Sequence, residues 1–138
     1  MAEGAFRHLV EDQGLDHLVE IDSAGTGAWH VGNSPDHRAT TTALQRGIDL
    51  SIQRARKVCR EDFEHYDYIL AMDDENHANL MHMSPSEHQH KIRLFLSLAP
   101  ELHEREVPDP YYGGEQGFEH ALDLVQAASR GLLREITE

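Results

Sequence analysis

The run Tyr68-Ile69-Leu70-Ala71-Met72, closed by Asp73-Asp74, decides the fold. It is apolar almost throughout and shows no polar alternation, the pattern of a strand buried on both faces of a parallel sheet. The two aspartates that end it are good helix caps, and the spacing predicts a helix through Leu80 and Met83 that stops at Ser84-Pro85. Beyond that, Ile92 to Leu98 reads as a second mostly apolar strand. The last helix is expected from about Gly117 to Thr137, with Phe118, Leu122, Val125, Leu132, Leu133 and Ile136 as its buried stripe and Gln126 and the acids outside.

Towards the N-terminus the same alternation continues. Met1 to Asp12 reads as a helix with Met1, Ala5, Phe6, Leu9 and Val10 on one face and no N-cap residue. A strand is expected over Leu18 to Ser23, ending in Ala24-Gly25-Thr26-Gly27. Ser34-Pro35-Asp36 has the form of a helix start, cap then proline, and Gly47 closes that helix after Leu44. Arg54 to Val58 is expected as a short strand and Arg60 to Tyr66 as a brief helix. Strands alternating with helices imply an α/β domain of three layers, a mostly parallel sheet with helices on both faces. In such folds ligands bind beyond the carboxyl ends of the strands. Here that gathers the loops of Gly25 to Trp29, Asp73 and Asp109.

The chain has 138 residues, the size of one domain, and shows no repeat, low-complexity tract or linker. Its formal charge is −13, from 25 acidic against 12 basic residues. Such a surface repels a phosphate backbone or an anionic bilayer, so neither nucleic acid nor membrane is an expected partner. An anionic ligand needs a locally positive pocket. No apolar run approaches a membrane span and no signal peptide precedes the chain. The single cysteine, Cys59, excludes an internal disulfide and suits a reducing cytoplasm. Nothing in the sequence fixes an oligomeric state.

One loop stands out. In Val107-Pro108-Asp109-Pro110-Tyr111-Tyr112-Gly113-Gly114, two prolines stiffen the backbone around one aspartate, and two tyrosines and a glycine pair follow. A rigid carboxylate beside aromatic rings is suited to giving a proton to an aromatic leaving group. The plainer reading is an Asp-Pro turn with surface tyrosines.

Taken in order, Met1-Ala2-Glu3-Gly4, Asp22-Ser23-Ala24-Gly25-Thr26, Trp29-His30-Val31-Gly32, Asp67-Tyr68-Ile69-Leu70-Ala71-Met72-Asp73 and Pro108-Asp109-Pro110-Tyr111 resemble the low-molecular-weight protein tyrosine phosphatases over essentially the whole chain. The resemblance implies a phosphotyrosine phosphatase I-like fold. It also implies hydrolysis of a phosphotyrosine protein or a small aryl phosphate through a cysteinyl-phosphate intermediate, with no metal or cofactor. It makes Asp109 the general acid that protonates the phenolic oxygen and then the base towards water. Trp29 and Tyr111 would line the cleft for the aromatic ring, with Tyr112 beside them. Tyr111 and Tyr112 match positions that are phosphorylated in some members. Ser23 would support the phosphate-binding loop through a hydrogen bond, and a histidine often found before Lys-Ala-Arg in relatives is Gln53 here.

The sequence departs from the family at one place. Members begin with an apolar strand and a Cys-x5-Arg-Ser-Pro loop directly before the segment matching Met1-Ala2-Glu3. That loop supplies the thiolate, the N–H groups that cradle phosphate and the clamping arginine. No such loop occurs here: six residues after Cys59 stands His65, no glycine lies between, and Glu61, Asp62 and Glu64 crowd the thiol. Cys59 is therefore expected to be a small residue at a helix start. The family places the first strand between those at Leu18 and Tyr68, so a slot is expected in the sheet. Residues 1–138 are read as a single N-terminally truncated phosphatase-like domain, inactive alone.

Other readings stay open. A catalytically dead phosphatase-like binding module would keep the cleft of Trp29 and Tyr111. An arsenate reductase relative would need relay cysteines that are not in this chain. His88-Gln89-His90 and the pair His77 and His82 invite a metal, but none has a Cys or acidic partner at a recognised ligand spacing. Gly25-Thr26-Gly27 is half of a dinucleotide fingerprint without its third glycine. Arg54, Arg56, Lys57 and Arg60 form a basic cluster that either steers an acidic phosphopeptide or balances nearby acids.

Overall fold

The computed structural model describes residues 1–26, 32, 36–51, 53–108 and 114–138, residues 114–116 by their backbone alone. Five helices and two strands organise it: α1 (Ala2–Asp12), α2 (His37–Leu44), α3 (Arg60–His65), β1 (Ile69–Ala71), α4 (Asp74–Met83), β2 (Ile92–Leu94) and α5 (Gly114–Thr137). β1 and β2 pair in parallel, with Ile69 opposite Ile92 and Ala71 opposite Leu94. A crossover through α4 joins them, as parallel pairing requires. The strand packs on both faces, but of its residues only Ala71 is fully buried; Ile69 and Ala71 pack with Val58, Phe63, Leu80 and Ile92. Tyr68, Leu70 and Met72 pack on the opposite side, against the larger cluster built from α1, α2 and α5.

The larger cluster is centred on α5. Phe118, Leu122, Val125 and Leu132 are buried as expected, while Leu133 and Ile136 are only partly buried. Arg46, just after α2, reaches across to α5 and meets Glu119 at 2.5 Å and Asp123 at 2.7 Å, with Gln126 accepting a further bond at 2.7 Å. Gly131 lets α5 come against the backbone at Leu98, because a Cβ there would lie 1.9 Å from the Leu98 carbonyl oxygen. Asp73 caps α4 by accepting from the Asn76 N–H at 2.7 Å, as expected from the sequence.

Four expected elements take another form. The segment expected as a strand over Leu18 to Ser23 is not one: Asp16–Leu18 is a turn of 3-10 helix, and Leu18 is 64% exposed. Val19 is extended, but residues 19–24 join no strand ladder. Pairing begins only at Gly25, which forms an isolated parallel bridge with Lys57, so the short strand expected over Arg54 to Val58 is reduced to that bridge. An extended segment becomes a ladder only where a neighbour offers backbone groups, and on its side towards β1 this one faces an open groove. The apolar run after Ile92 leaves the sheet at Leu94 and winds into 3-10 helix over Phe95–Leu98. A continuous apolar run does not by itself separate a buried strand from a buried helical turn. The cap of α2 is Asp36, whose side chain accepts from the Arg38 N–H at 2.7 Å; Ser34 and Pro35 lie outside the described residues.

Gly131→Ala is expected to destabilise the protein by about 1–2 kcal/mol, because a backbone carbonyl cannot yield as a side chain can. That figure is what remains of an overpacking cost of about 2–3 kcal/mol after the gain in helix propensity, about 1 kcal/mol. A urea midpoint at or above that of the parent protein would contradict the close approach. Asp36 beside Arg38, Asp74 beside Arg105 and Glu135 beside Arg93 all hold their carboxyl pKa values below the ordinary range through hydrogen bonds from those guanidinium groups. Their contribution to stability is therefore complete above the unfolded carboxylate range, about pH 4. It is lost as the pH falls through the depressed values. Urea midpoints measured from pH 6 down to pH 2 should decline below about pH 4; a flat profile would show that these pairs contribute nothing.

Candidate functional site

Between the segment at 19–23 and β1 lies a groove of about 770 Å³. Leu18 to Thr26 form one wall and His65 to Asp73 the other. Phe6 of α1 with Val125 and Leu132 of α5 close one face, and Val58 and Leu80 line the other. It lies between Leu18 and Tyr68, where the resemblance implies a slot in the sheet.

Several chain segments converge at the carboxyl end of its walls. Ser23 donates its hydroxyl to Glu3 Oε1 at 2.5 Å, which ties the end of the segment at 19–23 to the first turn of α1. The same carboxylate takes Arg7 Nη1 at 2.6 Å, and Arg7 Nη2 donates to the Ile21 carbonyl at 2.9 Å. On the opposite wall the Val107 N–H donates to the Met72 carbonyl at 2.7 Å. The loop before it is anchored on the start of α4, where Glu106 accepts from the Asp74 N–H at 2.9 Å and Arg105 grips the Asp74 carboxylate at 2.8 Å. Pro108 lines the groove, and the chain passes from it directly to Asp109.

Among the expected site residues, Ser23 is in place at this rim. Asp109, Trp29, Tyr111 and Tyr112 lie outside the described residues. The bracing pair Glu3 and Arg7 was not singled out from the sequence. Its signal was there, in an acid and a base four residues apart at a helix start. The anchor made by Arg105, Glu106 and Asp74 joins positions more than thirty residues apart, and no local pattern announces it. Gln53 sits against the first turn of α1, its Nε2 buried and unpartnered among the described residues. A Cβ at Gly4 would lie 2.9 Å from that atom and 2.3 Å from Leu50 Cδ2, so a larger residue there would push those side-chain ends aside.

Cys59 precedes α3 as a helix-start residue, exposed, with its N–H donating to Asp62 Oδ2 at 2.8 Å. The Glu61 carboxylate pushes its thiol pKa up, and Asp62 adds to the effect. This is the reverse of what a nucleophilic cysteine needs. Arg56 is committed to Asp22 and Asp62, each at 2.9 Å, and Arg54 to the carbonyls of Ser51 and Gln53. Balancing nearby groups is thus what these two members of the basic cluster do. His65 pairs with Glu20 across the groove's walls. Among the described residues no group of three His, Cys, Asp or Glu side chains is arranged to hold a metal ion. No described helix is long and apolar enough to cross a membrane.

Comparison with known proteins agrees with this geometry. The family described as low molecular weight phosphotyrosine protein phosphatase matches residues 1–138. A low molecular weight protein-tyrosine-phosphatase of Streptomyces coelicolor is 43% identical, with 100% of this chain and 85% of the relative covered. The human low molecular weight phosphotyrosine protein phosphatase is 38% identical over 96% of this chain and 84% of its own length. Among solved structures, a protein tyrosine phosphatase from Entamoeba histolytica superposes with a TM-score of 0.95 at 32% identity, covering 99% of this chain and 86% of that one. YfkJ from Bacillus subtilis gives 0.91 at 35% identity, covering 99% of this chain and 84% of that one. By sequence and fold together, this chain belongs to the low-molecular-weight phosphotyrosine protein phosphatase family.

Proposed function

We propose that this chain supplies the leaving-group and substrate-binding side of a phosphotyrosine phosphatase, and that the nucleophilic loop comes from residues outside these 138. The observation that carries the reading is the convergence of α1, Ser23 and the loop ending at Pro108 on one rim of the slot. Asp109, one residue beyond Pro108, is the general acid: its carboxyl proton goes to the phenolic oxygen as the phosphorus–oxygen bond breaks. The resulting carboxylate then takes a proton from the water that attacks the cysteinyl phosphate. Trp29, Tyr111 and Tyr112 are the substrate-binding residues that the family resemblance implies. Ser23 holds the rim in place through Glu3, and substrates are phosphotyrosine proteins or small aryl phosphates.

Cys59 does not substitute for the absent nucleophile. Its thiol pKa is raised, Arg56 is occupied by carboxylates, and the residue six positions on is His65. The chain alone is therefore inactive, with no cofactor to add. A dead binding module is the weaker alternative, because most phosphate affinity in this design comes from the N–H cradle and arginine that this sequence lacks.

With p-nitrophenyl phosphate the chain should read background, and Cys59→Ser should change nothing. Loss of a measurable rate in that variant would make Cys59 the nucleophile. Alkylation by iodoacetamide at pH 7 should likewise be slower than for a free thiol. Placing an apolar strand and a Cys-x5-Arg-Ser-Pro loop ahead of Met1 should create turnover. In that background Asp109→Ala should cut kcat by about 10²–10⁴-fold. An unchanged rate would remove Asp109 from the mechanism.

A further inference from the structure

Away from the rim and the groove, the basic cluster at residues 54–60 is only half explained. Arg54 and Arg56 are committed to carbonyls and carboxylates. The side chains of Lys57 and Arg60 have no hydrogen-bond or ion-pair partner among the described residues. Both are exposed, and both line a second cavity, of about 400 Å³, between the start of α3 and the end of α4. Of its lining residues only Val58 also borders the groove. The packing of α3 on α4 shapes this cavity, and the open part of the sheet does not.

Its lining divides by chemistry. Val58 and Phe63 are buried members of the smaller core cluster, and packing with Leu80 and Ile92 holds them as an apolar floor. Met83 closes one side and is 39% exposed although large and apolar. Its unbranched thioether adapts to whatever it covers. The Ser84 hydroxyl already donates to the Pro85 carbonyl at 2.9 Å. Among the described residues no carboxylate lines the cavity. The nearest ones in sequence are engaged elsewhere: Glu61 hydrogen-bonds to the Cys59 thiol, and Asp62 takes Arg56 and the Cys59 N–H. In a chain of formal charge −13, two unpaired cations over an apolar floor make a locally positive spot. The volume falls in the range of small-molecule sites, about 300–1,000 Å³, where apolar lining supplies contact and a few charged groups fix orientation.

We propose that this cavity is a binding site for a small organic anion, its apolar body on Val58, Phe63 and Met83 and its carboxylate met by Lys57 and Arg60. A guanidinium takes a carboxylate through two parallel N–H bonds, and an ammonium adds a point charge that needs no fixed direction. Together they select an anion over a neutral molecule of the same shape. The inference stands apart from the phosphatase reading, because no rim residue and no turnover enters its test.

The probe is 2-naphthoate, titrated into the full 138-residue chain. Cys59 is the reporter, because it is the single cysteine and lines the cavity. Saturable binding is expected below about 1 mM. Amide resonances of residues 57–63, 83 and 84 should shift, and alkylation of Cys59 by iodoacetamide should slow several-fold at saturation. The neutral isostere 2-naphthamide should bind roughly fivefold more weakly, the worth of two exposed charge contacts at low salt. Lys57→Gln combined with Arg60→Gln, both at exposed and unpaired positions, should weaken 2-naphthoate by a similar factor. Equal affinity for the amide, or for the double variant, would overturn the proposal, since the contact would then be apolar adhesion without charge recognition. So would resonance shifts confined to the groove walls at 19–23 and 69–71 with Cys59 unprotected. Failure to saturate by about 5 mM would overturn it too.

Discussion

Close contact between α5 and everything around it is the constraint on which this structure depends. Val125 and Leu132 face the groove, and Phe118 lies beneath the guanidinium of Arg38 at 5.0 Å. The Arg46 guanidinium fastens the end of α2 to the same helix. Each fully buried large apolar side chain on such a helix is worth about 1.5–3 kcal/mol. Glycine at 131 allows the helix backbone to touch the backbone at Leu98, and without that approach the long helix would stand off the sheet. The first cluster forms on one helix, which explains why α1, α2 and the turn at Phe95–Leu98 keep their places while the sheet between them is open.

The open sheet follows from how strands gain stability. A helix closes its own hydrogen bonds and needs only a face to bury. An extended segment needs a neighbour, so a gap in a sheet weakens what lies on either side of it. β1 keeps its form because β2 satisfies one edge and both clusters hold its side chains. The segment at 19–23 has support on one face and joins no ladder. Arg7 on the Ile21 carbonyl and Ser23 on Glu3 hold it against α1 instead. Side-chain bonds have taken over part of the task that a neighbouring strand performs.

That arrangement has a functional side. The groups at the carboxyl end of the walls are positioned by contacts that do not pass through the groove: Ser23 through Glu3, and the loop ending at Pro108 through Asp74, Glu106 and Met72. The rim is thus organised while the centre of the sheet is unfilled. Near it Arg56 is held between two aspartates, and Glu61 pushes the Cys59 thiol pKa up. Neither residue offers a positive pocket or a thiolate for phosphate.

Much of this was determined by the sequence alone. The apolar run at 68–72 with its two aspartates specified a strand buried on both faces and the cap of the next helix, since these depend on side-chain period and on one local hydrogen bond. The stripe of α5, the helical start of the chain and the passive position of Cys59 were legible for the same reason. The slot too was expected, from the place that the family gives its first strand. Tertiary structure alone decided that residues 19–24 join no strand ladder before the bridge at Gly25, that the run after Leu94 winds into 3-10 helix, and that Asp36 is the cap. It alone joined Asp74 to Arg105 and Glu106, and Arg46 to α5. Those outcomes depend on what stands beside a segment in space, and apolar periodicity specifies which side chains are buried without specifying the neighbour that buries them.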